Sequence, residues 1–413
     1  MPSATVPHIN WQTRLLSSLQ RSITMNTAPA IYLDAMATTP CDPRVVEAML
    51  PYFHEQFANA SSTVHAPGQC AYDAVASARR TIASCLGAQA EEILFTSGAT
   101  ESNNMAILGA ARANTGSRRT ILTSAVEHRS VLEPCQMLVS QGYTLKTIGV
   151  DNQGRLKHDE LQQALGDDVL LTSIQMANNE TGVLQDIATI SRLAKAAGAL
   201  VHVDAAQTAG KIPINLQALD VDYLSLSAHK FYGPKGIGAL FVRREAAAHL
   251  GPIMGGGTQE RRLRPGTLNV PGIIGMARAC ELALADMQNE GKRIGTLRNL
   301  LENLLMEKIP ELITNGDRAR RLPCCTSIRF AHTDAAGLML QVPHVAMSAG
   351  AACSSGSSEP SHVLLAMGLD TDEASRSLRL SLGRFTTEED IRSAAEAIAE
   401  GYEMMSLLTG VGA

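Results

Sequence analysis

Several features that mark common classes of protein are missing from this chain of 413 residues. Its eight cysteines include no C-x-x-C pair, so neither a zinc site nor a redox-active dithiol is indicated. No G-x-x-x-x-G-K-[ST] sequence is present, which leaves a P-loop without support. The formal net charge of −5 provides no general attraction to nucleic acid or to an anionic membrane. No uninterrupted apolar run approaches the length that spans a bilayer.

Acidic residues are absent from residues 1–30, which are rich in Ser and Thr and contain Arg14 and Arg21. A short amphipathic helix over residues 11–23 fits this composition, which resembles an organelle transit peptide and would place the protein in an organelle matrix. We predict instead a flexible extension, or an upstream start with Met25 as the true beginning. A large chain with few cysteines suits a reducing compartment, so we predict a cytoplasmic protein.

The remaining composition, 45% hydrophobic and 18% charged, is that of a globular protein, and the length suggests two or three domains. From residue 72 to residue 190, amphipathic helices alternate with short apolar strands, predicted at 93–96, 120–123 and 169–175. One helix is predicted at 129–139. This alternation predicts an α/β fold with a mostly parallel sheet between helices.

From about residue 273 the pattern changes to long helices and a smaller α+β C-terminal domain. We predict a strand at 325–330 and helices at 335–342 and 388–404. The predicted domains are the flexible extension 1–30, a segment 31–41 that packs on the small domain, a large domain 42–288, and a small domain 289–413.

A lysine lies in a turn between two apolar runs. Residues 221–226 are mostly apolar, Ser227-Ala228-His229-Lys230 follows, and a turn rich in Gly and Pro leads to a second apolar run at 239–242. This pattern predicts strand, turn and strand, with Lys230 held by rigid backbone on both sides. The alternative is a solvated surface lysine.

A carboxylate, Asp204, ends another apolar strand 26 positions before that lysine. The carboxyl ends of strands are where α/β sheets bind ligands, although Asp204 alone is equally compatible with a helix cap. Together the two residues indicate pyridoxal phosphate (PLP), since a lysine amine forms a Schiff base with its aldehyde and an acid keeps its ring nitrogen protonated. Ser97-Gly98-Ala99-Thr100 opens a helix after the 93–96 strand, and a helix amino end binds phosphate.

These motifs occur in an order that resembles the NifS/IscS-like cysteine desulfurases of the aminotransferase class V superfamily, which are PLP-dependent transferases of fold type I. The resemblance covers about residues 31–391. It rests on Tyr32-Leu33-Asp34, Ala37-Thr38-Thr39-Pro40, the segment 96–102, Glu127-His128, Asn178-Asn179-Glu180, His202-Val203-Asp204, the segment 227–230, Gly255-Gly256-Gly257, the segment 351–356, and Ser381-Leu382-Gly383-Arg384.

The resemblance implies a set of residues that bind PLP. His128 is implied to stack on the PLP ring and to handle protons, with a structural cap as the alternative. Thr267 is implied to reach the phosphate of the neighbouring subunit's PLP, which predicts a homodimer. The other implied cofactor-binding residues are Ala99, Thr100, Asn178, Asp204, Gln207, Ser227, His229 and Lys230.

For the substrate, the resemblance implies that Arg379 and Asn59 bind the carboxylate of L-cysteine. A guanidinium offers two parallel bonds to a carboxylate, whereas a structural salt bridge is the alternative for Arg379. Asn59 follows Ala58, where the family usually has Gly, and it is equally compatible with a turn.

Cys353 differs in its surroundings from the other cysteines. It lies in a run from residue 347 to residue 360 that is almost without large side chains, which predicts a mobile loop with an accessible thiol. The loop length resembles that of the long-loop group of the family, in which a loop cysteine is the nucleophile. A linker with an incidental cysteine is the alternative.

The resemblance thus implies conversion of L-cysteine to L-alanine, with the sulfur captured as a persulfide on Cys353 and passed to an acceptor protein for iron–sulfur cluster assembly. No intrinsic metal is expected, although Cys353 has the chemistry to ligate a partner's cluster transiently. Acceptors for tRNA thiolation or DNA sulfur modification remain open. The alternative functions are another class V PLP enzyme, such as a selenocysteine lyase or an aminotransferase, and a non-catalytic sulfur-relay scaffold.

Overall fold

A computed structural model describes residues 31–349 and 360–408. The helix predicted at 11–23 and the nucleophile predicted at Cys353 lie outside these residues. Within the described ranges, no helix is both long enough and apolar enough to cross a membrane.

The main feature of the described chain is a seven-stranded sheet with the strand order β2-β8-β7-β6-β5-β3-β4. Its strands are β2 (Ile93–Thr96), β3 (Thr120–Ser124), β4 (Thr144–Ile148), β5 (Val169–Gln175), β6 (Leu200–Asp204), β7 (Tyr223–Ser227) and β8 (Gly238–Val242). Strand β8 alone runs antiparallel to both its neighbours. The predicted fold class is therefore confirmed. Because the other strands are parallel, their carboxyl ends meet at one edge of the sheet.

Helices cover this sheet and build the second half of the chain. They are Pro43–Met49, Pro51–His54, Ala66–Leu86, Ala99–Ala113, Arg129–Val139, His158–Ala164, Ile187–Ala196, Val270–Lys308, Ala335–Gln341, His362–Ala366, Thr371–Ser375 and Glu388–Leu408. The helix predicted at 129–139 is confirmed. The long helices predicted from about residue 273 are one helix of 39 residues.

A smaller sheet has the antiparallel order β12-β13-β10-β9, and β1 pairs in parallel with β11. The strands are β1 (Ile31–Tyr32), β9 (Ile313–Asn315), β10 (Cys325–Arg329), β11 (Val345–Ala346), β12 (Ser348–Ala349) and β13 (Ser377–Ser381). Leu33 and Met36, from the start of the described chain, are buried with Leu378 and Leu380 in the apolar core of this region. The N-terminal segment therefore packs between the small sheet and the large sheet's carboxyl edge.

Candidate active site

A cavity of about 470 Å³ lies at the carboxyl edge of the large sheet, a volume suited to a small-molecule ligand. It brings together eight of the residues that the sequence predicts for a PLP site. These are Ala99, Thr100, His128, Asp204, Gln207, Ser227, His229 and Lys230.

Lys230 lies in the turn that connects β7 to β8, as the sequence predicts. A short 3₁₀ turn, Ala228–Lys230, holds it, and Nζ donates hydrogen bonds to the carbonyls of Met36 at 2.7 Å and Ala37 at 2.8 Å. The backbone N–H of Thr39 donates to the His229 carbonyl at 2.9 Å, which ties the turn to the N-terminal segment. The amine therefore lies in the cavity and not on a solvated surface.

Asp204 ends β6 at the cavity and is 7% exposed. Its Oδ1 accepts from the backbone N–H of Ala206 at 2.9 Å, and its Oδ2 accepts from Nδ2 of Asn103 at 2.8 Å. These two donors fix the plane of the carboxyl group. Asp204 therefore presents an oriented acceptor within the same cavity as the Lys230 amine.

His128 is at once a helix cap and a residue that lines the cavity. It is the N-cap of the helix Arg129–Val139, and its ring accepts from the backbone N–H of Ser130. Burial lowers the pKa of His128, and Lys230 acts in the same direction, whereas Asp204 opposes the shift. The two interpretations of this histidine are therefore compatible, because the cap also fixes the ring at the cavity wall.

The helix Ala99–Ala113 opens toward the cavity without a side-chain cap, so its first backbone N–H groups are available to an anion. Gly98 precedes it with φ +155°, a conformation that favours glycine. A Cβ on Gly238 would lie 2.6 Å from the Gly98 Cα, so position 238 needs glycine for this close approach. The geometry forms an anion-binding corner beside Ser227.

His229 lies at the same end of the cavity, where its Nδ1 is 3.0 Å from Thr38 Oγ1. Burial lowers the pKa of His229 to about 4, and the neighbouring amines of Lys230 and Lys235 add to the effect. A neutral ring can still donate a hydrogen bond to a phosphate oxygen.

Four of the predicted residues that the structure describes do not line this cavity, and three of them are Asn178, Asn59 and Thr267. The Asn178 amide donates to the Val126 carbonyl at 3.0 Å and its Oδ1 accepts from the backbone, whereas its neighbour Asn179 lines the cavity. The Asn59 side chain accepts from the backbone N–H of Ser61 at 2.9 Å, which closes a turn. Thr267 is exposed, on a loop that the resemblance assigns to the neighbouring subunit's site.

Arg379 is also absent from the cavity lining, and it is 2% exposed. Its Nη2 donates to Asp34 and its Nη1 donates to the Asn179 carbonyl, so the guanidinium forms the structural salt bridge that was the alternative. Nε is buried without a hydrogen-bond partner in the described residues. The role of Arg379 in substrate binding stays a prediction, and Nε is the donor that the described residues leave for a substrate.

Sequence reasoning missed Asn103, Asn179 and Lys235. Asn179 and Lys235 line the cavity, and Asn103 bonds the Asp204 carboxylate from behind. A polar residue on the buried face of a helix was the available signal for Asn103, because buried amides are hydrogen-bonded to specific partners.

Comparison with known proteins identifies this arrangement. The aminotransferase class-V family matches residues 31–393. The chain belongs to the aminotransferase class-V family. Within it, a cysteine desulfurase IscS of Anaeromyxobacter sp. (strain Fw109-5) is 47% identical over 370 residues, which cover 90% of this chain and 92% of that protein. The cysteine desulfurase of Homo sapiens is 42% identical over 87% of this chain and 79% of that protein.

Solved structures place this class-V chain in the same group. A NifS-like protein is 37% identical with a TM-score of 0.85, over 91% of this chain and 100% of that one. SspA in complex with cysteine is 34% identical with a TM-score of 0.76, over 86% of this chain and 99% of that one. The resemblance to NifS/IscS-like proteins is therefore confirmed.

The class-V family is PLP-dependent in general, and the cavity fits that cofactor. An amine, a carboxylate and an uncapped helix amino end surround one space, as an aldehyde, a ring nitrogen and a phosphate require. Asn179 Oδ1, which is buried at the wall and has no partner among the described residues, is a further polar atom that a ligand would satisfy.

Proposed function

We propose that this class-V chain is an L-cysteine desulfurase that uses PLP. The observation that carries the proposal is the convergence of Lys230, Asp204 and His128 on one cavity that also holds an uncapped helix amino end. The names of its relatives support cysteine as the substrate, since several similar proteins are cysteine desulfurases and one was solved with cysteine.

PLP, when bound, supplies an electrophilic carbon and a ring that accepts electrons from the substrate's Cα. Lys230 is the base that moves the proton at Cα, because its Nζ is the amine that the backbone turn holds at the cavity. Asp204 would keep a proton on the ring nitrogen by accepting a hydrogen bond from it. The first turn of the helix Ala99–Ala113, with Ser227 and His229, would hold the phosphate.

Cys353 takes the substrate's sulfur in this proposal. Its thiolate attacks the sulfur of the bound amino acid, and the carbon–sulfur bond breaks with its electron pair left on the carbon side. The carbon then takes a proton, so that L-alanine leaves while the sulfur remains as a persulfide on Cys353. The persulfide then passes to an acceptor protein, for which we propose iron–sulfur cluster assembly. A homodimer, with Thr267 completing the neighbouring site, and a cytoplasmic location belong to the same proposal.

Product analysis tests the function. The purified protein with PLP and a thiol reductant should convert L-cysteine to alanine and sulfide in equal amounts. Lys230→Ala should abolish both products and the borohydride-reducible bond to the cofactor, whereas Lys292→Ala, on an exposed helix face, should change neither. Pyruvate as the main product, or turnover of selenocysteine alone, would replace the proposal with another class-V reaction.

A further inference from the structure

His128 receives two hydrogen bonds at one ring nitrogen. The backbone N–H of Ser130 donates to Nδ1 at 3.1 Å, and Ser130 Oγ lies 2.8 Å from the same atom. A backbone N–H can only donate, so Nδ1 carries no proton. The neutral ring therefore keeps its proton on Nε2, for which residues 31–349 and 360–408 provide no hydrogen-bond partner.

Asn103 fixes the direction of the Ser130 hydroxyl. Its Nδ2 donates to Ser130 Oγ at 2.9 Å and to Asp204 Oδ2 at 2.8 Å. The amide must turn its nitrogen toward Asp204, because a carboxylate only accepts. Since Ser130 Oγ already accepts from Asn103, its own proton is left to point at His128 Nδ1. A continuous hydrogen-bonded chain thus joins Asp204 to His128.

This chain is largely buried, although Ser130 and Asp204 also line the cavity. Asn103 is 0% exposed and Ser130 is 8% exposed. Hydrogen bonds in such surroundings are stronger than in water, and a lost partner is costly to replace. Water is therefore a poor substitute for either side chain.

We propose that Asn103 and Ser130 are positioning residues that hold His128 in the Nε2–H tautomer, so that the ring donates a hydrogen bond to the sulfur of the bound amino acid. The inference deepens the proposed cysteine desulfurase function and rests on it for the identity of the acceptor atom. For Nε2 to act as a base, the ring proton would have to move to Nδ1, toward which two donors already point. The proposal differs from a role in which the ring removes the thiol proton.

The groups around the ring are consistent with a neutral donor. Asp204 faces it from β6, Lys230 from the 3₁₀ turn, His362 from the helix His362–Ala366, and Glu133 from its own helix. Burial is the largest cause that lowers the pKa of His128; Lys230 and His362 add to it, and Asp204 and Glu133 oppose it. The amino end of the helix Arg129–Val139 also disfavours a positive charge on the ring.

The tautomer is measurable without any reference to turnover. In holoenzyme labelled with ¹⁵N-histidine, the His128 resonances are assigned by their loss in His128→Gln. We expect a protonated Nε2 and an unprotonated Nδ1. A protonated Nδ1 in the unmodified holoenzyme overturns the proposal. If the protein produces no alanine from cysteine but Nε2 carries the proton, the proposed function is wrong and the tautomer assignment stands.

Variants test the two positioning residues. Ser130→Ala and Asn103→Leu should each raise the pH at which the His128 ring titrates, because a donor to Nδ1 is lost or misdirected, and should lower kcat/KM for cysteine about tenfold. Ser130→Thr, which keeps the hydroxyl, should restore the titration. Asn104→Ala is the matched control, since the Asn104 amide bonds the Thr100 carbonyl. Unchanged titration in both Ser130→Ala and Asn103→Leu overturns the positioning role.

Discussion

Nη2 of Arg379 donates to Oδ1 of Asp34 at 2.6 Å, across 345 positions of the chain. A second donation, from Nη1 to the Asn179 carbonyl at 2.8 Å, places the guanidinium directly behind the cavity wall. The salt bridge orients the arginine, and the buried Nε remains as the donor that a substrate carboxylate would use. Structural and substrate-binding roles for Arg379 are therefore not exclusive.

Arg379→Lys separates these roles. Lysine keeps the charge but cannot hold Asp34 and the Asn179 carbonyl while also presenting a donor at the position of Nε, so we expect KM for L-cysteine to rise about tenfold or more. Steady-state kinetics with alanine detection measures the change. Asp34→Asn is the comparison, because it weakens the salt bridge without removing the guanidinium. If KM stays at the unmodified value in Arg379→Lys while thermal stability falls, Arg379 is structural only.

Arg262 has φ +65°, a left-handed conformation that costs an arginine free energy and costs glycine little. Glu260 and Arg261 beside it also have positive φ. Arg262→Gly should therefore raise the free energy of unfolding by about 0.5–1 kcal/mol, as measured by urea denaturation.

Replacement of arginine by glycine should have the opposite effect on the free energy of unfolding when the arginine lies in a helix. Arg80 is exposed in the helix Ala66–Leu86, and Arg80→Gly should lower the free energy of unfolding by about 1 kcal/mol. Destabilisation by both variants would show that position 262 carries no backbone strain.

Glu127 is fully buried beside His128, and this burial raises its pKa to about 8, although a hydrogen bond from Ser124 opposes the shift. Because the folded pKa lies above the unfolded one, the folded state binds the proton more tightly. The stabilisation is fully present below pH 4.5 and is lost as the pH rises through about 8. Stability should therefore fall between pH 5 and pH 9.

Glu127→Gln mimics the protonated form, so it should match the unmodified protein at pH 5 and exceed its free energy of unfolding at pH 9 by about 2 kcal/mol. Urea denaturation at the two pH values measures the difference. Glu245→Gln, at an exposed position, should show no such gain. If the free energy of unfolding falls equally with pH in Glu127→Gln and in the unmodified protein, the raised pKa of Glu127 is contradicted.

Cys353→Ser should retain the absorbance of bound cofactor and lose sulfur transfer to an acceptor, because serine cannot form a persulfide. Labelled cysteine, followed by gel detection of protein-bound sulfur, provides the measurement. The exposed Cys70 offers a control, and Cys70→Ser should transfer sulfur normally. Normal delivery by Cys353→Ser would assign the nucleophile to another residue.

Local patterns were enough to predict much of this protein. The strands at 93–96 and 169–175 and the helix at 129–139 match the structure because periodicity and turn residues mark them within a few positions. The helices Pro43–Met49 and Pro51–His54 are separate, since Pro51 lacks an amide N–H and begins the second.

The site could be predicted in part for the same reason. Lys230 and Asp204 each follow a strand, so the sequence shows that they share an edge of the sheet. The pairing of Arg379 with Asp34, and that of Asn103 with Asp204, depend on tertiary packing between distant segments. No local pattern encodes either contact.

The hydrogen bonds from Lys230 to Met36 and Ala37 have a consequence for biosynthesis. The segment that provides those carbonyls is itself held by Ser381, whose hydroxyl accepts from the Met36 N–H and whose backbone pairs with Asp34. Contacts between such distant positions form only after most of the chain has left the ribosome. A nascent chain that has released only the large sheet still lacks Ser381, which holds that segment in place, so the lysine's final surroundings should form only after strand β13 has left the ribosome.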